Sequence, residues 1–160
     1  MEVYFVFAYV CILFFVVIYF VTRYNINQSK KILNSYGVDQ LHRIEVGFSH
    51  VSYTNFSSCG GLVFKVNLHF NNGLLIFTPK ENSVFSALKC NLPIILTKNS
   101  NQSICKEFQC KVIDQIIFNR NSIKLTYTSR LLEKINHEIF VYSNDNFEKL
   151  KEIILKFKEF

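Results

Sequence analysis

The stretch LVFKVNLHFNNGLLIFT, residues 62–78, decides the fold of the chain beyond its N-terminal segment. Apolar and polar residues alternate from residue 62 to residue 70, which is the period of a strand with one buried face. The turn sequence Asn71-Asn72-Gly73 follows, and Asn and Gly tolerate the positive φ angles of tight hairpin turns. Residues 74–78 should therefore return as the second arm of a β-hairpin, which Pro79 ends.

Shorter signals surround this hairpin. Before it, residues 44–48 alternate and the phase then shifts to Val51 and Tyr53, which predicts a strand with a bulge near residues 47–50. The polar stretch 55–61 predicts a loop. After the hairpin, the helical spacing of the apolar residues in 82–89 predicts a short middle helix.

Strand signals continue in the second half of the chain. Residues 93–97 predict a buried strand, and the polar residues 98–103 predict a mobile loop. Three more strands are expected, over residues 108–118 with a phase change, 123–127 after a turn at 119–122, and 137–142. Asp145 with Glu148 forms a capping box for an amphipathic C-terminal helix. The fold class is therefore α+β, mainly antiparallel.

The N-terminal segment VYFVFAYVCILFFVVIYFVT, residues 3–22, contains no charged residue. About 20 helical residues match a hydrocarbon core of about 30 Å. A cleaved signal peptide would need a basic start and a small-residue cleavage site, whereas here Glu2 precedes the segment and Arg23 follows it. A helix that is apolar on every face would need protein on all sides to be a core helix. We therefore expect a single-pass membrane anchor.

The flanks of this segment predict its orientation. Arg23, Lys30 and Lys31 lie just beyond its C-terminal end, and no Lys or Arg precedes it, so the positive-inside rule predicts a cytoplasmic domain. We expect these three side chains to contact anionic lipid headgroups. The predicted organisation is an anchor over 1–22, a basic stalk over 23–37 and an α+β domain over 38–160. The stalk should contain a short helix over residues 27–36, ended by Gly37.

Charge and cysteine content restrict the partners. The net charge is +6, but the basic residues are scattered, and no zinc-finger spacing or RNA-recognition motif occurs, so we expect no nucleic-acid partner. Four cysteines follow the anchor, which would permit two disulfides in an extracytoplasmic domain. We expect free thiols instead, because apolar neighbours suit core cysteines. These four cysteines are Cys59, Cys90, Cys105 and Cys110.

Catalytic and metal-binding motifs are weak. Cys105 and Cys110 with a histidine could bind zinc, but structural sites usually have closer cysteine pairs, so no metal or other cofactor is expected. His69 should be solvated on the polar face of its strand, and His50 and His137 should lie at strand edges or starts. The sequence contains no hydrolase nucleophile motif and no phosphate-binding glycine loop. We therefore expect a protein that is not an enzyme.

The run of strands closed by an amphipathic helix looks like the pleckstrin-homology-type architecture of small bacterial membrane proteins. In that pattern a strand ending near Thr-Pro leads into a Phe-x-x-Leu helix, and here Thr78-Pro79 precedes Phe85-Ser86-Ala87-Leu88. In those proteins the Phe-x-x-Leu helix closes the domain, whereas further strands follow it here. No family is therefore claimed.

These features predict a binding or adaptor module held at the membrane surface, with a protein partner that contacts polar loops. The candidate loop residues are Asn55, Phe56, Ser57, Asn99 and Asn101. One alternative is an extracytoplasmic, disulfide-bonded domain that binds a toxin, a surface protein or an entry complex. The other is an enzyme with an unrecognised site, which a deep pocket lined by converging Cys, His and carboxylate groups would favour.

Overall fold

The computed structural model describes residues 2–37, 43–53, 58–60, 62–71, 73–80, 92–99, 109–130, 134–143 and 146–159. Within these ranges, a long N-terminal helix precedes eight strands and a C-terminal helix. The elements are α1 (Glu2–Ser35), β1 (Ile44–Tyr53), β2 (Ser58–Gly60), β3 (Phe64–Asn71), β4 (Leu74–Pro79), β5 (Ile94–Thr97), β6 (Cys110–Phe118), β7 (Ser122–Arg130), β8 (Lys134–Tyr142) and α2 (Phe147–Glu159). This confirms the α+β class. The predicted middle helix over 82–89 lies outside the described residues.

Seven of the strands close into a barrel. Residues 44–48 of β1 pair with β3, and residues 47–53 of the same strand pair with β8, so the order β1-β3-β4-β5-β6-β7-β8 returns to β1. Neighbouring strands are antiparallel except β5 and β6, which are parallel. The hairpin that the sequence predicted is present, and Gly73 in its turn has a φ of 74°.

The bulge predicted in β1 is located elsewhere. The register of β1 against β8 runs without a shift from Gly47 to Tyr53. On the other edge of β1, Val51 pairs with Gly60 of β2 and Phe48 pairs with Phe64 of β3. Between these two pairs, β1 has two residues and the partner side has three. The extra residue therefore lies between β2 and β3, which together form one interrupted strand. Residues 58–60 were predicted as loop, but they belong to the sheet because they pair with residues 51–53 of β1.

Helix α2 closes one end of the barrel. Its four buried residues belong to the same core cluster as the inward residues of the strands, which confirms the apolar face that the sequence predicted. These residues are Leu150, Ile153, Ile154 and Phe157. The Lys98 ammonium, which follows β5, donates a hydrogen bond to the carbonyl oxygen of Lys158. We call this end of the barrel the capped end.

Helix α1 is continuous from the apolar segment into the domain. Its 34 residues give a length of about 51 Å. It is long and apolar enough to cross a membrane, and residues of its apolar segment are exposed. Its last turns pack on the outer face of the barrel, where Ile32 joins a buried cluster with Leu74, Ile76 and Ile95. Gly37, with a φ of 56°, follows its end as predicted.

The direction of α1 along the barrel follows from its contacts. The Asn71 side chain donates a hydrogen bond to the carbonyl oxygen of Tyr36, at a distance of 2.6 Å. Ile26 and Ser29 instead lie beside Thr78 and Pro79, at the other end of β4. From Tyr36 towards the N-terminus of the helix, α1 therefore runs from the Asn71 end of the barrel to the Pro79 end. The apolar residues 3–22 extend beyond the barrel on that side, which is opposite the capped end.

Candidate functional site

A cavity of about 340 Å³ lies in the barrel at the end opposite α2. We call it the polar-end cavity, because hydroxyl, imidazole, amide and ammonium groups line it next to an apolar wall. Its lining residues are His50, Pro93, Ile94, Ile95, Gln109, Lys111, Tyr127, Ser129, Ile135 and His137. Its volume is at the lower end of the range of small-molecule sites in proteins, about 300–1,000 Å³.

Strand alternation directs the polar groups into this cavity. His50 follows Phe48 by two residues on β1, so both side chains point to the barrel interior. His137 precedes the buried Ile139 by two residues on β8, and Tyr127 lies directly opposite His137 in the β7–β8 register. Hydrophobic residues fill the capped end of the interior, and polar residues occupy the same faces at the other end.

The four central side chains form one hydrogen-bonded chain. Ser129 Oγ lies 2.7 Å from His137 Nε2. Nδ1 of the same ring lies 3.1 Å from His50 Nε2. The Tyr127 hydroxyl is 3.3 Å from that His50 nitrogen. The Tyr127 and His137 rings also stack, with centroids 4.5 Å apart and planes 7° from parallel, so the aromatic contact fixes the imidazole that the hydrogen bonds orient.

Burial determines the charge of this cluster. Burial, and secondarily the charge of His137, lower the pKa of His50 to about 4. Burial, followed by the charge of Lys111, lowers the pKa of His137. Burial raises the pKa of Tyr127 to about 12. At neutral pH the two imidazoles and the phenol are therefore uncharged, and Lys111 carries the single formal charge among the described lining residues.

The neutral cluster has two hydrogen-bonding states. In one state, Ser129 donates its proton to His137 Nε2, and the Nδ1–H of His137 donates to His50. In the other state, His50 Nε2–H donates to His137 Nδ1, and the Nε2–H of His137 donates to Ser129. The chain can therefore offer either a hydroxyl donor or a hydroxyl lone pair to a bound group.

Sequence reasoning missed this cluster. The phase shift assigned to β1 removed His50 from the inward-facing series of Val46 and Phe48. The alternation of Cys110 and Val112 on β6 likewise assigned Lys111 to the wrong face. In the structure Cys110 packs towards α1 and Lys111 faces the cavity. The signal was present in the spacing, since His50 and His137 each continue an alternating apolar face by two residues.

His69 was predicted to be solvated, and this is wrong. Its side chain is only 4% exposed and lies 3.1 Å from Thr78 Oγ1, next to the last turns of α1. Burial, followed by the charge of Arg43, lowers its pKa to about 4. Helix α1 covers the His69 end of the polar face of β3 and leaves Lys65 exposed, and the strand pattern alone could not reveal this contact.

The predicted contact residues that the structure describes are not among those that line the polar-end cavity. Arg23, Lys30 and Lys31 are exposed on α1. Asn99 is also exposed, and its backbone N–H donates to Thr97 Oγ1 at 3.2 Å. The other candidate loop residues, Asn55, Phe56, Ser57 and Asn101, lie outside the described residues.

The described residues bear on metal binding and on the cysteines. Within the described ranges, no group of three or more His, Cys, Asp and Glu side chains is placed to hold a metal ion. Cys90 and Cys105 lie outside those ranges, and only the backbone of Cys59 is described. The prediction of free thiols in the domain therefore stays a prediction.

A second depression, of about 310 Å³, lies on the outer face of the barrel beside Gly47 and Tyr142. Its charged groups are already paired, because Glu45 lies 2.6 Å from the Lys80 ammonium and 3.5 Å from that of Lys65. The polar-end cavity is the stronger candidate, since its polar groups converge on an interior space. Comparisons with protein-family models, curated proteins and solved structures give no match to this chain.

Proposed function

We propose that this chain is a single-pass membrane-anchored binding protein whose barrel binds a small ligand in the polar-end cavity. The observation that carries this proposal is the convergence of His50, Tyr127, Ser129 and His137 on one interior space of ligand size. Interior polar groups of this kind orient a ligand, while the apolar wall supplies contact area.

The anchor and its orientation form part of the proposal. Most of the apolar residues between Tyr4 and Val21 are exposed along α1, and the same helix continues without a break into packing against the barrel. This continuity supports a retained anchor rather than a cleaved leader. The positive flank of Arg23, Lys30 and Lys31 supports a cytoplasmic barrel. Labelling of domain cysteines by a membrane-impermeant maleimide in intact cells would overturn this orientation.

A protein partner at the polar loops stays part of the adaptor hypothesis. Its candidate residues, apart from Asn99, lie outside the described ranges, so the cavity gives the sharper test. Partner binding through these loops should survive replacement of Arg23, Lys30 and Lys31 by Gln.

The ligand-binding test uses the full chain in phosphatidylcholine nanodiscs and two-dimensional NMR. The probes are propionate, propanol and propylamine, which share an apolar group and differ in charge. We expect at least one probe to shift the amide signals of Tyr127, Ser129 and His137 saturably. Ser129→Phe, which fills the cavity, should abolish these shifts, whereas Ser143→Phe on the outer side should not. The proposal would be overturned if neither these probes nor their ten-carbon analogues shifted these signals, or if Ser129→Phe left the shifts unchanged.

Catalysis is the second candidate, and one distance favours it. Ser129 Oγ lies 2.7 Å from His137 Nε2, as a nucleophile and its general base would. However, the described cavity lining contains no carboxylate to stabilise a protonated His137, and the neighbouring Lys111 opposes that charge. Binding is therefore the preferred function. Turnover of p-nitrophenyl acetate that Ser129→Ala abolishes would reverse this preference.

A further inference from the structure

The position of the polar-end cavity relative to α1 limits where its ligand comes from. Ser29 lines a depression together with Thr78 and Pro79, which belong to the same end of the barrel as the cavity. Thr22, at the end of the apolar segment, precedes Ser29 by seven residues, or about 10 Å along the helix axis. The interfacial layer of a bilayer is about 5–8 Å thick on each side. With residues 3–22 in the hydrocarbon core, the cavity end of the barrel therefore lies next to the headgroup layer.

The register of the strands confirms that the cavity residues belong to this end. Ile94, on the apolar wall, pairs with Phe77, two residues before Pro79. Ser129 and His137 lie at the far end of β7 and β8 from the turn at residues 119–121. That turn adjoins the capped end, so the barrel places its polar interior and its apolar interior on opposite sides.

The described lining residues favour an amphiphile that carries one negative charge. Pro93, Ile94 and Ile135 offer apolar surface, and Lys111 and the Ser129 hydroxyl lie beside them on neighbouring strands. One ammonium balances one negative charge. A phosphate dianion would leave a second charge without a counter-charge among the described lining residues, which is costly in a partly buried site. A carboxylate has one charge and two acceptor oxygens, which suit an ammonium and hydroxyl donors.

We infer that the polar-end cavity binds the carboxylate end of a single-chain amphiphile, of the medium-chain fatty acid class, taken up from the adjacent bilayer surface. Lys111 pairs with the carboxylate, and Ser129 and Tyr127 supply hydroxyl donors. The chain of the ligand lies along Pro93, Ile94 and Ile135. The cavity, at about 340 Å³, suits one short chain and not a diacyl lipid. This inference rests on the proposed function, since it names the ligand of the same cavity.

The test uses decanoate carrying ¹³C at its carboxyl carbon, added to the full chain in phosphatidylcholine nanodiscs. Decanol and decyl phosphate serve as uncharged and dianionic probes, and empty nanodiscs correct for partitioning into lipid. Decanoate should bind saturably, at one molecule per chain, and shift the ring signals of Tyr127 and His137. It should bind more tightly than either of the other probes.

Two matched variants locate the charge. Lys111→Met keeps an unbranched side chain without the ammonium and should weaken decanoate binding about tenfold or more, while decanol binding changes little. Lys151→Met removes the same charge from the exposed side of α2 and should leave both affinities unchanged. Amide spectra of both variants check that the barrel is folded.

Equal weakening in the two variants would overturn the inference, because it would indicate general attraction to a basic protein. Tighter binding of decyl phosphate than of decanoate would overturn the choice of a carboxylate. If propionate, propanol or propylamine bind but none of the decyl probes does, the ligand-binding function stands and the bilayer amphiphile is wrong. If no probe of either kind shifts the cavity signals, the proposed function fails with it.

Discussion

Tyr127 and His137 face each other across β7 and β8, with ring centroids 4.5 Å apart and planes 7° from parallel. This stack holds the His137 ring so that one nitrogen meets Ser129 and the other meets His50. The aromatic contact and the hydrogen bonds therefore restrict the same imidazole from two directions. The cavity wall is pre-organised before a ligand binds, which reduces the entropy lost on binding.

The ring and the hydroxyl of Tyr127 should contribute separately to the free energy of unfolding. Tyr127→Phe keeps the stack and removes the hydroxyl near His50, so the free energy of unfolding should fall by about 1 kcal/mol. Tyr127→Ala also removes the ring and should cost about 3–5 kcal/mol. Urea unfolding of the full chain in nanodiscs, followed by the near-ultraviolet signal of tyrosine, measures both. Equal losses in the two variants would show that the stack contributes nothing.

Acid should destabilise the barrel through buried histidines. The pKa values of His50 and His69 are lowered to about 4, whereas an unfolded histidine has a pKa of about 6.5. The unfolded state therefore binds more protons than the folded state between these values, and stability decreases as the pH falls through this window. Between pH 6.5 and 5 the free energy of unfolding should decrease by about 1–3 kcal/mol, with partial exposure reducing the share of His50.

Most carboxyl groups stay ionised between pH 6.5 and 5, so this window isolates the histidines. Urea unfolding at several pH values provides the measurement. A double variant, His50→Gln with His69→Gln, should have a flatter dependence on pH. If the double variant kept the full slope, the buried histidines would not be its origin.

The contact between α2 and the barrel should be a large contribution to stability. Phe157 is fully buried at the capped end, so Phe157→Ala should lower the free energy of unfolding by about 3–5 kcal/mol. Leu155 is 42% exposed on the same helix, and Leu155→Ala should cost less than about 1 kcal/mol. Urea unfolding compares the pair. Similar losses in the two variants would contradict the capped end as described.

The packing of α1 on the barrel can be tested in the same way. Ile32 is 4% exposed among Leu74, Ile76 and Ile95, so Ile32→Ala should cost about 2–4 kcal/mol. Lys31→Ala, one residue earlier on the exposed side, should change the free energy by less than about 0.5 kcal/mol. Amide hydrogen exchange of β4 should also increase in Ile32→Ala alone. Unchanged exchange in β4 would indicate that α1 does not stabilise the barrel.

Much of the fold could be predicted from sequence, because local patterns dominate it. The β3–β4 hairpin, the buried β5 strand, the turn at residues 119–122 and the apolar face of α2 all depend on neighbours in the chain. Closure of the barrel could not be read this way, since it depends on β1 pairing with β8, about 90 residues later. The same long-range pairing places His50 and His137 together.

The errors share one physical cause. A side chain on a strand has two possible environments, and the sequence pattern assigns only which residues share a face. His69 shares a polar face with Lys65, yet α1 buries His69 and leaves Lys65 exposed. Lys111 alternates with the apolar residues Cys110 and Val112, yet it faces the interior cavity. Both assignments needed the position of a distant element.

The most direct test of the account measures which end of the barrel faces the bilayer. The full chain, labelled with ¹⁵N, is placed in nanodiscs whose phosphatidylcholine headgroups carry a nitroxide, which broadens the signals of nearby amides. The amides of Ser129 and His137 at the cavity end should broaden strongly, and those of Asn119 and Arg120 at the capped end should stay sharp. The opposite pattern, or equal broadening at the two ends, would contradict the placement of the cavity end next to the membrane.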